Sequence, residues 1–302
     1  MSAIFDALEK IDAKEGNAAP PWSPEKNGGD GRVFSFDLPS EILSDFYDLR
    51  EYIRIASLRG QMRVLAITSS TTGEGSSTIA TFLAFLMANG LEKNVEAGVK
   101  RAGVAAAQKQ RTVPGDKHQV ENIFQTDFSE YMQKEKARAL IHGKKEGGIL
   151  LVDANLNKPG LHRYFGLGVE DGLAEIIEKQ MEWRYVAKSL RHGDLKVITA
   201  GKAQGNPADI IGSDAFRNMV TEWRDEFRYV VIDSPAVLNY VDALTISSIA
   251  DGVILVVRAG QTRWEMAQNA KRKLTVAHAN LLGVALNRHK LSIPDGYYKP
   301  LV

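Results

Sequence analysis

The chain has no cysteine, which excludes disulfides and thiolate-ligated metals and suits a reducing compartment. It also lacks any apolar run near the roughly 20 residues that a membrane-spanning helix needs; the richest stretch, IATFLAFLMA, is about half that length. Net charge is scarce. Lys and Arg number 38 against 37 Asp and Glu, a balance of +1, which points to neither a nucleic-acid coat nor a binder of acidic substrates. The opening MSAIFDALEKIDAKEG has no basic region followed by an apolar one, so it does not read as a signal peptide. Six histidines, at 118, 142, 162, 192, 278 and 289, show no H-E-x-x-H or other metal spacing. No G-x-S-x-G elbow supports a hydrolase triad.

The most informative absence is one residue wide. TTGEGSST, residues 71–78, is close to the phosphate-binding loop G-x-x-x-x-G-K-[ST], but Ser76 stands where the lysine belongs. In such loops the glycines bring backbone N–H groups up to phosphates, and the lysine reaches the β and γ oxygens. A nucleotide enzyme, a nucleotide sensor and a retired scaffold are all compatible with that change.

The length of 302 residues suits one large α/β domain with tails, or two small domains. Residues 1–36 read as a short amphipathic helix, carrying Ile4, Phe5, Leu8 and Ile11 on one face, followed by a linker rich in Pro and Gly. LPSEILSDFYDLREYIRIASLRG then reads as an amphipathic helix, with Ser40 as N-cap and Gly60 as its stop. Beyond it, short apolar runs alternate with helical patterns: RVLAIT, GILLVD, LKVITA, YVVIDS, GVILVV and LLGVALN, with helices between them at 77–89, 172–179, 213–226 and 262–279. Strands apolar along their whole length are covered on both faces. The alternation therefore predicts an α/β fold, a doubly wound and mostly parallel sheet flanked by helices, occupying 37–302. Residues 91–147 break the rhythm with many charges and no strand pattern, and read as an insertion with a helix near 127–141. Its lysines lack the interleaved aromatics of a nucleic-acid arm. Trp183, Trp223 and Trp264 are expected to pack helices against the sheet.

Ligands of such sheets bind at the carboxyl ends of the strands. RVLAIT leads into the glycine loop and then a helix, whose N-terminal N–H groups and dipole favour phosphate even without a lysine. GILLVD ends in Asp153 and YVVID in Asp233. Two strand-end aspartates, with the Ser77 hydroxyl, are suited to Mg²⁺ beside phosphates.

These segments, taken in order, resemble the cytoplasmic domain of the bacterial tyrosine kinases of capsule and exopolysaccharide biosynthesis, related to the MinD/ParA ATPases. SSTTGEGSSTIATFLAFLMA, ILLVDANLNKPGLHRYFGLGVEDGLAEII, VITAGKAQGNPADIIGSDAFRNMV and YVVIDSPAVLNYVDALTISSIADGVILVVRAGQT carry the resemblance, over about 40–90 and 148–302. It implies a P-loop fold and a site for ATP or ADP with Mg²⁺. Gly73, Glu74, Gly75, Ser76, Ser77 and Thr78 would form the phosphate loop, and Asn287 would contact the base. Asp153 and Asp233 would be catalytic and, with Ser77, metal-binding, while Tyr297 and Tyr298 would be phosphoacceptors. It further implies a cytoplasmic protein, peripheral to the inner membrane through a chain-length-determinant partner.

The departures fall on the same motifs. Ser76 replaces the loop lysine, Asn155 the second aspartate of D-x-D-x-R and Asn157 its arginine; Ala236 stands where a second proline is common. The helix near residue 50 keeps Arg50 of E-x-x-R-x-x-R but has Ser44 and Tyr47 at its other positions, so a monomer or weak homo-oligomer is expected. The pattern implies a degenerate kinase-like regulator; the alternatives are an active autokinase and a positioning ATPase. Lys158, beside Asn157, is placed to swing toward the phosphates.

Overall fold

The apolar runs become the strands of one sheet, in a computed structural model that describes residues 24–25, 33–34, 40–59, 62–88, 148–169, 171–190 and 194–288. All of these lie in one compact unit. The expected insertion at 91–147, the amphipathic segment at 3–11 and Tyr297 and Tyr298 lie outside the described residues.

A short antiparallel ladder, β1 (Pro24–Glu25) with β2 (Val33–Phe34), precedes the long helix α1 (Ser40–Arg59). Then come β3 (Val64–Ser69), α2 (Ser76–Ala88), β4 (Ile149–Asp153), and the short helices α3 (Leu161–Tyr164), α4 (Leu173–Glu178) and α5 (Trp183–Val186). The chain continues through β5 (Lys188–Ser189), β6 (Leu195–Ile198), α6 (Pro207–Gly212), α7 (Asp214–Glu226), β7 (Tyr229–Asp233), α8 (Asp242–Ile249), β8 (Gly252–Arg258), α9 (Trp264–Val276) and β9 (Leu281–Asn287). The sheet order is β5-β6-β4-β7-β3-β8-β9, parallel throughout except for the β5 edge. This is the doubly wound α/β architecture that the alternation of runs predicts.

Period-two alternation divides the sheet's side chains between two cores. Leu65, Ile67, Ile149, Leu151, Val231, Ile254 and Val256 join α1 and α2 on one face. Val64, Ala66, Leu150, Val152, Val230, Ile232 and Leu255 meet the Phe216–Trp223 face of α7 on the other. The apolar stretch noted in the sequence is α2 itself, with Ile79, Ala80, Phe82, Leu83 and Ala84 buried. On α7 the buried residues Phe216, Val220 and Trp223 recur at helical spacing, and the N-cap Ser213 accepts the Phe216 N–H at 3.2 Å. Trp183 stands edge-on to Trp223 at 6.3 Å, as expected of two core tryptophans.

Trp264 departs from expectation. It is 71% exposed, because Ala267, Ala270 and Leu274 make the packed face of α9 and Trp264 occupies the first turn before that face begins. Among the described residues no helix is long and apolar enough to cross a membrane.

Candidate nucleotide site

β3 ends at Ser69 and α2 begins at Ser76, so the turn between them carries the phosphate-loop sequence at the carboxyl edge of the sheet. Gly73 and Gly75 take φ values of 88° and 94°, the left-handed region that glycine tolerates best. A Cβ on Gly75 would fall 2.2 Å from Asn287 Nδ2. Asn287, at the end of β9, donates that nitrogen to the Glu74 carbonyl at 2.8 Å. The family resemblance implies that Asn287 contacts a base; in this structure its amide braces the loop.

Glu74 is also turned inward. Its buried carboxylate accepts the Ser70 N–H and hydroxyl, both at 2.7 Å, and the Thr71 N–H and hydroxyl, both at 3.0 Å. The Thr262 hydroxyl, from the β8–α9 connection, donates to the same group. Glu74 therefore shapes the loop, and its charge is directed away from a ligand. None of the N–H groups from Gly73 to Ser76 is bonded to another group among the described residues. Those donors and the N-terminus of a 13-residue helix make an anion cradle. Ser76, half-buried at the first residue of α2, adds no charge to it.

Asp153 and Asp233 are register partners on the adjacent strands β4 and β7, and both are fully buried. Their surroundings differ. Asp153 accepts the Asn155 N–H at 3.2 Å through one oxygen, and those of Gly160 and Leu161 at 3.1 and 2.9 Å through the other. It ties down the turn that starts α3. Burial still pushes its carboxyl up, to about 6, against those three donors. Asp233 has no hydrogen-bond partner on either oxygen. Burial first, then the Asp153 charge, holds its carboxyl well above the usual range; the nearby Ser77 hydroxyl favours the charged form without reaching hydrogen-bonding geometry. Tyr164 closes the group, its hydroxyl 2.6 Å from that of Thr78 and its phenol pushed up to about 12 by burial.

A buried, unpartnered carboxylate beside a second carboxylate is unstable without a cation or a proton. The residues present fit Mg²⁺, an oxygen-seeking ion that takes one or two carboxylates and draws its remaining ligands from water and phosphate. Asp233 and the Ser77 hydroxyl are the available protein ligands, with Asp153 contributing its remaining lone pairs. Among the described residues no cluster of three or more His, Asp or Glu side chains makes a self-sufficient metal cage.

The substituted motif residues have local duties. Asn155 accepts the Lys158 N–H at 3.1 Å, and Asn157 donates to the buried Asp242 carboxylate at 2.7 Å. On α1, Arg50 stacks 4.9 Å over the Tyr47 ring and lies 3.6 Å from Glu51, so it is engaged within its own helix. Sequence reasoning missed Tyr164, Thr262 and Asp242. Only Asp242 had a signal, an acidic residue opening a helix.

No protein-family model matches the chain. The tyrosine-protein kinase YwqD of Bacillus subtilis (strain 168) is 28% identical over 269 residues, covering 88% of this chain and 90% of YwqD. The solved structure of the chimerical protein CapA2B2 superposes with a TM-score of 0.60 at 25% identity, covering 83% of this chain and 86% of that one. The homologues of this chain are bacterial tyrosine-protein kinases. The fold of CapA2B2 is the fold of this chain. The succinoglycan biosynthesis transport protein ExoP of Rhizobium meliloti (strain 1021) is 31% identical over 144 residues, 46% of this chain and 18% of ExoP. Apart from YwqD, the chain spans between 18% and 65% of the length of these curated relatives.

Proposed function

We propose that the chain is a nucleotide-binding, tyrosine-kinase-like regulator of exopolysaccharide biosynthesis or export, in which phosphoryl transfer is weak or absent. The observation that carries this is the composition of the cradle. Free N–H groups from Gly73 to Ser76 and the unpartnered Asp233 remain, while the loop's own cation is missing at Ser76. Phosphoryl transfer depends on positioning and on stabilising developing charge. Losing one pre-organised donor costs roughly 3–4 kcal/mol, on the order of a hundred- to a thousand-fold in rate. Binding in the ground state draws on the backbone donors and the helix dipole, which remain. Mg²⁺, when bound, would supply charge neutralisation beside the phosphates; Asp233 and Ser77 would hold it, with Asp153 fixing the turn beside it.

In this reading the nucleotide state is read by a membrane chain-length-determinant partner, and the chain is cytoplasmic and peripheral to the membrane through that partner. Its kinship with ExoP, a succinoglycan biosynthesis transport protein, supports that pathway. Residues 1–36 would form the N-terminal helix and linker, and 91–147 an insertion in the P-loop domain. The retained Asp233 favours a second reading, an active autokinase acting on Tyr297 or Tyr298.

The two readings separate on incubation of the purified chain with radiolabelled ATP and Mg²⁺, followed by mapping of phosphotyrosine. The expected result is little or no label on the natural chain and a clear gain in Ser76→Lys. Label on Tyr297 or Tyr298 of the natural chain, abolished by Asp233→Asn, would establish the second reading.

A further inference from the structure

We infer that Lys158 supplies the positive charge that the loop itself lacks, its ammonium contacting the phosphates of a nucleoside di- or triphosphate held at the start of α2. This rests on the nucleotide reading of the site. Two buried carboxylates stand on adjacent strands, and the one without any partner lies near the Ser77 hydroxyl at the start of α2. A cation from the protein would strengthen the binding of an anionic ligand there beyond what the backbone donors and any metal ion supply, and Ser76 provides none.

Lys158 is built into the turn that borders the cradle. Asp153 grips that turn at both ends, through the N–H groups of Asn155 on one side and Gly160 and Leu161 on the other. The Lys158 N–H is itself bonded to Asn155, and the preceding Asn157 is anchored on Asp242. Pro159 stiffens the step that follows. Gly160 then packs on α2, where a Cβ would lie 3.7 Å from Ser77 Oγ. Lys158 is thus two residues from a point in contact with the second residue of α2, a separation of about 7 Å at most along the chain, and its four-carbon stem covers such a gap.

The backbone at Lys158 is fixed while its side chain is exposed, and its ammonium has no hydrogen-bond or ion-pair partner among the described residues. A free cation on an immobilised turn costs little to redirect when an anion arrives. The other cation of this segment, Arg163, lies past the start of α3, where its charge acts on His162 and Tyr164; it serves as the control.

The test is calorimetric titration of the full chain with ADP and Mg²⁺, comparing Lys158→Ala, Lys158→Arg and Arg163→Ala at low and high salt. We expect about a tenfold or greater loss of affinity in Lys158→Ala, as for a charge-assisted contact, near-retention in Lys158→Arg, and no comparable loss in Arg163→Ala. The salt dependence should shrink in Lys158→Ala with its thermal midpoint unchanged, which a purely structural role would not produce. ADP binding by the natural chain that survives Lys158→Ala, or falls equally in Arg163→Ala, would overturn the inference and leave the nucleotide reading standing. Absence of ADP binding by the natural chain would overturn both.

Discussion

Replacing Asp233 with Asn should stabilise the metal-free protein at alkaline pH, although it removes a residue from the centre of the site. Asp233 is fully buried, unpartnered and beside Asp153. A carboxyl raised by folding contributes stability below its unfolded value and loses it as pH climbs through the folded one. For Asp153 that window runs from 3.8 to about 6. A rise of that size corresponds to roughly 3 kcal/mol of unfavourable charging once the pH is well above the window, and it belongs to the coupled pair. The substituted amide would remove the repulsion but would itself be buried and short of partners, a cost of about 1–3 kcal/mol that protonated Asp233 also bears. The exchange should therefore be close to neutral near pH 5 and stabilising by about 1–3 kcal/mol near pH 8. Urea unfolding in EDTA at the two pH values measures it, provided the slope of the transition is unchanged. A variant equally or more destabilised at pH 8 than at pH 5 would refute the account of an uncompensated carboxylate pair.

Two further substitutions probe the loop. In Glu74→Gln one carboxylate oxygen becomes an NH₂ facing the donors of Ser70 and Thr71, so a loss of about 2–4 kcal/mol in urea unfolding is expected; a change below about 0.5 kcal/mol would mean that Glu74 does not brace the loop. Gly75→Ala meets both a φ of 94° and the Asn287 amide 2.2 Å from its Cβ. It should cost about 1–3 kcal/mol and weaken ADP binding, and unaltered stability would show that the loop relaxes freely.

The mostly parallel sheet and the two strand-end aspartates were legible because buried parallel strands are written as continuous apolar runs. LLGVALN became β9 with the predicted bounds, and YVVID brought Asp233 opposite Asp153. What each aspartate does was not legible. The oxygens of Asp153 are engaged by N–H groups seven and eight residues downstream, a bond set by the path of the following turn rather than by any residue type. Glu74 matched a motif by identity, yet its carboxylate faces a threonine 188 positions away. Tyr164 meets Thr78 across 86 positions through a four-residue helix too short for periodicity to reveal. Trp264 misled because size predicts burial, whereas its place in the first turn of α9 decided exposure.

The central claim is that a lysine-free loop still binds nucleotide through its backbone, with Asp233 holding the metal. The direct measurement is calorimetric titration of the natural chain with ADP, with and without Mg²⁺, beside Asp233→Asn. The account predicts binding that Mg²⁺ strengthens in the natural chain, and loss of that Mg²⁺ dependence in Asp233→Asn. Binding indifferent to both Mg²⁺ and Asp233, or no binding until Ser76→Lys restores the lysine, would contradict it.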